Sequence, residues 1–509
     1  MAPVSRQRAA IAVLAAIYFA ATLSIAVTKP LRLDEIGTIG IATIPTLPQF
    51  FAFFAAGQEP HPPLSHLLIR LTCSLFGPNE LGSRFPSILA AFGAIVALYL
   101  FLRHRLTATG ALFGAAIVAI GPAFYATEGR GYALLASCAA SACLAWQRRS
   151  NLALCACLAL AVSTHYYAVF LFPVFLVATF VRDATAARAT FAAIILGGTP
   201  LLLYAPWVRT AFQTSLTSWQ HNTQNLRQPS AENVGLFLLD ASVRLIAPLL
   251  ILLAAWFAYR RAGTARPLIE KGRLTSAELT LACGLVLLPF ELFALSRFST
   301  GAFFARYAIA WNVGLGILGA AAFAKFVDRP SQQWACLAAT LLSPFLFAPL
   351  YTSEPNPWPI LTVTWRAANF PNLPLAYSDA LYYESIWFYA PPEMKARLVY
   401  VHDVDASRQT PDPVPEHCVQ IHSALFPYGH TAYNAFLGKH QDFLLLSTGD
   451  QTREWLPRRL LSVGYRLQPL QSVAGHTLYR VSAANSSPPP PSTQSQWPHG
   501  PPARSTPPG

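Results

Sequence analysis

Two adjacent carboxylates, Asp34 and Glu35, stand in the segment LRLDEIGTIG, directly after the first strongly apolar stretch of the chain. A carboxylate within hydrogen-bond reach of a hydroxyl group can remove its proton as a general base. Neighbouring residues point in different directions, so at most one of the two is expected to face a reaction centre while the other orients it. The alternative is an interfacial ion pair with Lys29 and Arg32.

A second acidic position, Glu128, lies in YATEGRGYALL, a short turn between two apolar runs. Gly129 and Gly131 bracket Arg130 and allow the backbone to approach a ligand closely. We therefore take Glu128 as a third catalytic candidate, and Arg130 with the nearby Tyr132 as binding candidates. A self-contained ion pair between Glu128 and Arg130 is the alternative.

Other candidate binding residues stand at the ends of apolar runs. The arginines could instead extend harmlessly to the membrane surface, and the aromatic residues of THYYAVF are also typical of an interfacial belt. The histidines lack the HExxH-like spacing of a metal site, so neither a metal nor any other cofactor is predicted, although a divalent ion is not excluded. These candidates are His61, Arg84, His165, Tyr166, Arg306 and Tyr307.

The composition indicates which elements must position these side chains. The 509 residues are 54% hydrophobic and 12% charged, more apolar than a soluble core requires. Long apolar runs without alternation predict membrane-spanning helices, because helices satisfy their own backbone hydrogen bonds in lipid. Eleven spans are predicted, near residues 9–27, 86–102, 111–126, 131–146, 151–166, 167–181, 190–206, 236–259, 277–296, 308–324 and 333–351.

The positive charges indicate the orientation of these spans. The net charge of +13 arises largely from Arg and Lys in short loops between spans, which is typical of membrane orientation and argues against nucleic-acid binding. The pattern holds only if HPPLSHLLIRLTCSLFG, residues 61–77, lies on the membrane surface without crossing it. Residues 28–85 then form one long external loop that also contains the apolar segment 47–56. The N-terminus is predicted to be cytoplasmic, with a retained first helix.

A separate unit is predicted after residue 351, where SEPNPWP ends the last span. Strands are expected at 398–402, 442–447 and 475–481 and helices near 360–369 and 379–389, which predicts a small extracytoplasmic α/β domain at 352–482. Residues 483–509 are rich in Pro and Ser and are predicted to be disordered. Seven cysteines accompany apolar runs and Cys418 stands alone, so we predict no disulfide.

Taken together, these stretches resemble the GT-C type of polyprenyl-phosphate-sugar-dependent glycosyltransferases, including the protein O-mannosyltransferase and aminoarabinose transferase families. The matching segments, over about residues 10–330, are LDEIG, HPPLSHLLIR, FGPNELGSRFPS, ATEGRGYALL, THYYAVFLFPVF, LYAPWVR and RYAIA, in that order. The chain departs from aminoarabinose-type members at His61, where Lys is common, and at Glu128, where several members carry Asp.

The resemblance implies a catalytic base at Asp34 with Glu35 beside it, a second acid at Glu128, and arginines that bind phosphate. It implies an enzyme that transfers a sugar from a polyprenyl phosphate to an acceptor hydroxyl with inversion, at the periplasmic face of a bacterial inner membrane. The expected partners are the lipid-linked donor, the bilayer and an unidentified protein, lipid or glycan acceptor. The alternatives are a secondary transporter or lipid flippase, and a noncatalytic cell-envelope binding protein.

Overall fold

The computed structural model describes residues 3–120, 123–183, 187–222, 235, 248–257, 273–297, 305–327, 329–347, 360–361, 370–407, 414–449, 454–473 and 475–483. Its first part, up to residue 347, is helical. The helices are α1 (Pro3–Thr28), α2 (Leu33–Ala42), α3 (Leu47–Ala55), α4 (Leu64–Phe76), α5 (Glu80–Arg103), α6 (Ala108–Ile120), α7 (Ala123–Ala126), α8 (Tyr132–Gln147), α9 (Asn151–Thr164), α10 (Leu171–Arg182), α11 (Arg188–Gly197), α12 (Pro200–Asn222), α13 (Pro248–Phe257), α14 (Ser276–Leu295), α15 (Trp311–Phe326) and α16 (Pro330–Phe347). Two 3₁₀ turns, Tyr166–Phe170 and Ala305–Ala308, precede α10 and α15.

Three apolar helical stretches of the described chain have the length and composition to cross a membrane: Glu80–Arg103, Arg188–Ala211 and Ser276–Leu295. Shorter apolar helices coincide with other predicted spans. The predicted span 236–259 lies outside the described residues except at 248–257. The helical membrane fold is therefore as predicted, while the count of eleven spans stays a prediction.

The predicted external loop contains three short helices. The thirteen residues of α4 rise about 20 Å, less than the roughly 30 Å of a hydrocarbon core. Arg70, the charge that made this segment ambiguous in the sequence, donates through Nη1 to the carbonyl of Ala42 at 3.0 Å and through Nη2 to that of Pro45 at 2.9 Å. The guanidinium thus fastens α4 to the end of α2.

Small residues let the helices that carry the site approach closely. α5 and α8 pack through buried alanines such as Ala94 and Ala136. At the crossing of α6 and α15, a Cβ on Gly316 would lie 2.8 Å from the carbonyl oxygen of Gly114. Backbone proximity of this kind is how membrane helices gain packing energy without a hydrophobic driving force.

The C-terminal part is an α/β unit. Its strands are β1 (Leu375–Tyr377), β2 (Leu398–His402), β3 (Gly429–Ala432), β4 (Asp442–Ser447), β5 (Tyr465–Val473) and β6 (His476–Ala483), in the order β3-β2-β1-β4-β6-β5. The first four are parallel, and β6 and β5 are antiparallel additions. The helices are α17 (Ala380–Tyr389), α18 (Pro392–Lys395), α19 (Val404–Ser407), α20 (Val414–His422), α21 (Tyr433–Lys439) and α22 (Leu456–Ser462).

The sequence located this unit but not all of its strands. The strands expected at 398–402 and 442–447 are confirmed, and the one expected at 475–481 runs from His476 to Ala483. β1, β3 and β5 were missed because β1 and β3 are very short and β5 is largely polar. The helix expected at 379–389 is α17, whereas the one near 360–369 and the Pro-rich tail lie mostly outside the described residues.

Helix α17 fastens the C-terminal unit to the beginning of α2. The Tyr389 hydroxyl accepts a hydrogen bond from the Leu31 amide at 2.8 Å and donates one to Glu80 at 2.5 Å. Ser385 donates to the Leu31 carbonyl at 2.9 Å. The C-terminal unit therefore rests on the same loop that carries the two adjacent carboxylates.

Candidate active site

Helix α2 begins immediately before the carboxylate pair. The amide of Arg32, the residue before the helix, donates to Glu35 Oε2 at 3.1 Å, so Glu35 closes the first turn. Acidic side chains in a first turn also interact favourably with the positive end of the helix dipole. This local arrangement fixes the directions of both carboxylates, and they differ.

Glu35 points into the protein and binds Arg84. Its oxygens accept hydrogen bonds from Arg84 Nε at 2.8 Å and Nη2 at 2.7 Å, and Oε1 accepts a third from the Gly129 amide at 2.7 Å. The two side chains are 1% and 0% exposed. Burial alone raises the pKa of Glu35, but the hydrogen bonds and charge of Arg84 and the Gly129 amide outweigh burial and lower it.

The Arg84 guanidinium is fully engaged inside the protein. Besides Glu35, it donates to the carbonyls of Ala26 at 2.7 Å, Lys29 at 2.5 Å and Pro30 at 2.9 Å. Glu35 and Arg84 therefore form an internal brace. Of the two carboxylates, Glu35 is the one turned inward, and Arg84, predicted to bind phosphate, is engaged by these internal partners. The brace joins the end of α1, the start of α2, α5 and the 127–131 turn.

Asp34 points outward and keeps 40% of its side chain exposed. Its Oδ2 lies 3.8 Å from Arg306 Nη1. Arg130 Nη1 donates to the Asp34 carbonyl at 3.4 Å and to Thr38 Oγ1 at 3.2 Å. Burial raises the pKa of Asp34, but the positive charges of Arg130 and Arg306 and the neighbouring His61 bring it below its ordinary value. Asp34 is thus an ionised, accessible proton acceptor between two guanidinium groups.

Glu128 lies in the turn before α8 and pairs with Arg32, whose Nη1 is 3.2 Å from Oε1. Arg32 is half-buried and Glu128 is 6% exposed. Burial and the charge of Glu35 raise the pKa of Glu128 to about 7, because they outweigh the charges of Lys29 and Arg32. Glu128 therefore exchanges a proton near neutral pH, on the Arg32 side of the site.

Replacing Glu128 by glutamine is expected to change how stability depends on pH. A carboxyl group whose pKa rises on folding contributes stability that is present below its ordinary pKa and lost as the pH rises toward the folded value. Between pH 4.5 and about 7 the wild type should therefore lose stability that Glu128→Gln retains, roughly 1–3 kcal/mol. Thermal unfolding in detergent at pH 5 and pH 8 measures the difference. Equal pH dependence in Glu128→Gln and wild type would contradict the assignment, and Glu393→Gln, at an exposed position, is the control.

A further acid, Glu59, was missed in the sequence although it stands two residues before the histidine of HPPL. Its Oε1 contacts His61 Nδ1 and accepts a hydrogen bond from the His61 backbone amide at 3.1 Å. Its Oε2 lies 3.9 Å from His66 Nε2. Glu59 is 8% exposed. Burial raises the pKa of Glu59, but the interactions with His61 and His66 outweigh burial and bring the pKa below its ordinary value. The signal that could have identified Glu59 is an acid two residues before a histidine that is itself followed by two prolines.

His61 and His165 belong to an aromatic cluster beside Asp34. The ring centroids of His61 and His165 are 5.1 Å apart, those of His165 and Tyr307 4.9 Å, and those of Tyr307 and Tyr167 5.1 Å. The Arg306 guanidinium lies 5.8 Å from the Tyr132 ring. Part of this cluster borders a small pocket, whereas Tyr167, Arg306 and Tyr307 lie outside its lining. The lining residues are Thr38, His61, Ser65, His66, Arg130, Gly131, Tyr132, Thr164 and His165.

Tyr166, predicted to bind substrate, contacts a different neighbour. Its ring faces Tyr204 of α12 at 6.4 Å, and it is outside the described pocket lining. The adjacent Tyr167, which was not predicted, joins the cluster instead. In the described part of the chain, no group of three or more His, Cys, Asp or Glu side chains is arranged to hold a metal ion.

Three comparisons relate the sequence and the fold of the chain to known proteins. The sequence profile of the family described as dolichyl-phosphate-mannose-protein mannosyltransferase matches residues 60–209, less than a third of the chain. No curated protein matches the sequence. A crystal structure of ArnT from Cupriavidus metallidurans bound to undecaprenyl phosphate aligns with a TM-score of 0.55 and 15% identity, over 92% of this chain and 98% of that one.

The same protein in its apo state aligns with a TM-score of 0.55 and 14% identity, over 94% of this chain and 100% of that one. At this identity the alignments establish the fold. They extend over both the helical part and the C-terminal unit, whereas the family profile is confined to residues 60–209, which include HPPL, Glu128 and His165. The predicted resemblance is confirmed to this extent: a mannosyltransferase family profile matches residues 60–209, and the chain has the fold of ArnT.

Proposed function

We propose that the chain is a glycosyltransferase that moves a sugar from a polyprenyl phosphate to an acceptor hydroxyl. The observation that carries the proposal is the partly exposed, ionised Asp34 carboxylate, which lies 3.8 Å from Arg306 and whose backbone carbonyl accepts a hydrogen bond from Arg130. A base and a cationic phosphate site are the two groups that this transfer requires. The fold supports it, because ArnT with the same fold was crystallised with undecaprenyl phosphate.

In the proposed reaction, Asp34 accepts the proton of the acceptor hydroxyl as its oxygen attacks the anomeric carbon. The bond from that carbon to the phosphate oxygen breaks, and the electron pair leaves with the polyprenyl phosphate. Arg130 and Arg306 stabilise the negative charge on the departing phosphate through charge-assisted hydrogen bonds. A single displacement of this kind inverts the anomeric configuration.

Each remaining site residue has a proposed part. The aromatic cluster formed by His61, His165, Tyr132 and Tyr307 borders the space in which the sugar would lie. Glu59 fixes the ring of His61 through Nδ1. Glu128, with its pKa near 7, is a positioning group for Arg32 and the turn, and does not contact Asp34 in the described contacts. No cofactor is part of the proposal.

The proposed location is a bacterial inner membrane, with the site and the C-terminal unit on the periplasmic side. The positive-inside distribution of the loops supports this orientation. The donor's polyprenyl chain would remain among the helices, and the acceptor would approach from the side of the C-terminal unit.

Purified full-length protein in lipid nanodiscs, given radiolabelled polyprenyl-phosphate sugars and membrane extract, is expected to transfer label from at least one donor to a larger product. Released polyprenyl phosphate should appear in equal amount, because one bond breaks for each bond formed. A flippase would instead move the donor between leaflets of a vesicle with its sugar–phosphate bond intact. Label that stays on every donor tested, under conditions in which the protein is folded, would contradict the proposed function.

A further inference from the structure

Two glycines of α2, Gly37 and Gly40, mark a surface against which the C-terminal unit packs. Gly37 lies one helical turn after Asp34, and Gly40 one turn after Gly37, so neighbouring positions of α2 carry no side chain. A Cβ placed on Gly37 would lie 2.1 Å from Cε1 and 2.3 Å from Nε2 of His422. A Cβ on Gly40 would lie 2.7 Å from Cε2 of Phe426. The helix backbone is thus in direct contact with these two rings of the C-terminal unit.

The His422 ring is held in a fixed direction. Its Nδ1 lies 2.9 Å and 3.0 Å from the two oxygens of Glu384, a residue of α17 with 0% exposure. The Tyr428 hydroxyl lies 2.9 Å from the same carboxylate and 2.7 Å from the Val419 carbonyl, and its one proton is donated to these acceptors. Nδ1 is bound to Glu384, and the adjoining Cε1–Nε2 edge of the ring is the part nearest to Gly37.

The electrostatic surroundings favour the protonated imidazole. Burial lowers the pKa of His422, but the charge and hydrogen bond of Glu384, with smaller contributions from Glu59 and Asp34, raise it above its ordinary value. The latter two acids belong to the candidate site, so His422 interacts electrostatically with the site from the C-terminal unit. The turn that contains Asp34 is therefore contacted by Arg130, from the turn before α8, and by His422, at the end of α20.

We propose that His422 is a positioning residue that the C-terminal unit contributes to the site. It presses on the backbone at Gly37 and holds the Asp34–Thr38 turn against Arg130, so that docking of the C-terminal unit completes the geometry of the base. The effect on transfer rests on the proposed function, whereas the contact itself does not. Displacing a catalytic group by about 1 Å costs on the order of 10²-fold in rate.

The sharpest test uses Gly37, His422 and their double variant. Ala ordinarily favours a helix over Gly, so Gly37→Ala would be harmless if nothing packed there. With His422 in place, we expect Gly37→Ala to lower kcat by about 10²-fold with little change in KM, because the ring and the turn must separate. In a His422→Ala background the added methyl group has space, and Gly37→Ala should cause no further loss.

A second measurement needs no substrate. Hydrogen–deuterium exchange of the full chain in nanodiscs reports how firmly the amides of residues 33–42 are held. We expect faster exchange there in His422→Ala and in Gly37→Ala, partial recovery in His422→Gln, which can still hydrogen bond to Glu384, and no change in His430→Ala. His430 is the matched control because it lies on β3 of the same unit, with its ring near His402.

The outcomes separate the two proposals. Faster exchange at 33–42 in His422→Ala, in a protein that transfers no sugar even as wild type, would support the positioning contact and overturn the proposed function. Equal exchange in His422→Ala and His430→Ala would overturn the positioning role. A Gly37→Ala substitution that is as damaging in the His422→Ala background as alone would also overturn it, since its effect would not pass through the histidine.

Discussion

Asp34→Asn is expected to reduce the rate of sugar transfer by about 10²–10⁴-fold, the usual contribution of a positioned general base. Asparagine keeps the size and polarity of the side chain but cannot accept the acceptor's proton. Arg130 binds the backbone carbonyl and Thr38 at this position, so the substitution leaves that contact in place. The fall should appear in kcat, while the KM for the lipid-linked donor stays close to the wild-type value.

Two controls make the Asp34 result specific. Asp405→Asn, in the C-terminal unit, removes a carboxylate outside the site and should leave transfer unchanged. In the wild type, the lowered pKa of Asp34 keeps the base ionised as the pH falls through the ordinary range of an aspartate, so the acidic limb of the rate profile should lie below that range. Full activity in Asp34→Asn would remove Asp34 from the mechanism.

The sequence indicated a carboxylate pair but not which member faces the site. Adjacent residues on a helix differ by about 100° in direction, so one of Asp34 and Glu35 had to turn inward. The choice depends on Arg84, 49 positions further along, and on the Gly129 amide, 94 positions along. Patterns along the chain do not show which distant residues pair. For this reason the sequence suggested a phosphate-binding role for Arg84, whereas the structure shows it bound to Glu35 inside the protein.

The distribution of charge predicted that the loop with Asp34 and the turn with Glu128 lie on one side, and the two meet in the structure, while the span count and the orientation stay predictions. Arg32 contacts Glu128 at 3.2 Å, and Glu35 accepts a hydrogen bond from the Gly129 amide at 2.7 Å. The first external loop therefore meets the 127–131 turn. Had HPPLSHLLIR crossed the membrane, these two segments would lie on opposite faces. The sequence could make this prediction because span length and loop charge are local properties.

The residues missed in the sequence are those whose role depends on distant partners. Glu59 is a single acid in a loop, and it is recognised as part of the site only through its contacts with His61 and with His66 of α4. His422 reaches Gly37 from 385 positions away, and only the glycine without a side chain hints that something packs there. Periodicity and motif spacing describe neighbours along the chain, so contacts between the two units have to come from the structure.

The largest effect on stability is expected from Arg84→Ala. It would leave Glu35 as an uncompensated charge at 1% exposure, and removing one partner of a buried ion pair typically costs about 3–5 kcal/mol. The carbonyls of Ala26, Lys29 and Pro30 would lose their donor as well, so the end of α1 and the start of α2 would separate. We expect a lower apparent Tm in detergent and a loss of transfer that follows from it.

Arg103→Ala, at the other end of α5, is the matched control. Arg103 is exposed and donates to the carbonyl of Leu106, so its removal should cost less than about 1 kcal/mol. Glu35→Gln should fall between the two, because the amide still accepts the Gly129 hydrogen bond but no longer neutralises Arg84. If Arg84→Ala unfolds at the same temperature as Arg103→Ala and loses only donor binding, Arg84 contacts the phosphate after all, and the internal brace is not its role.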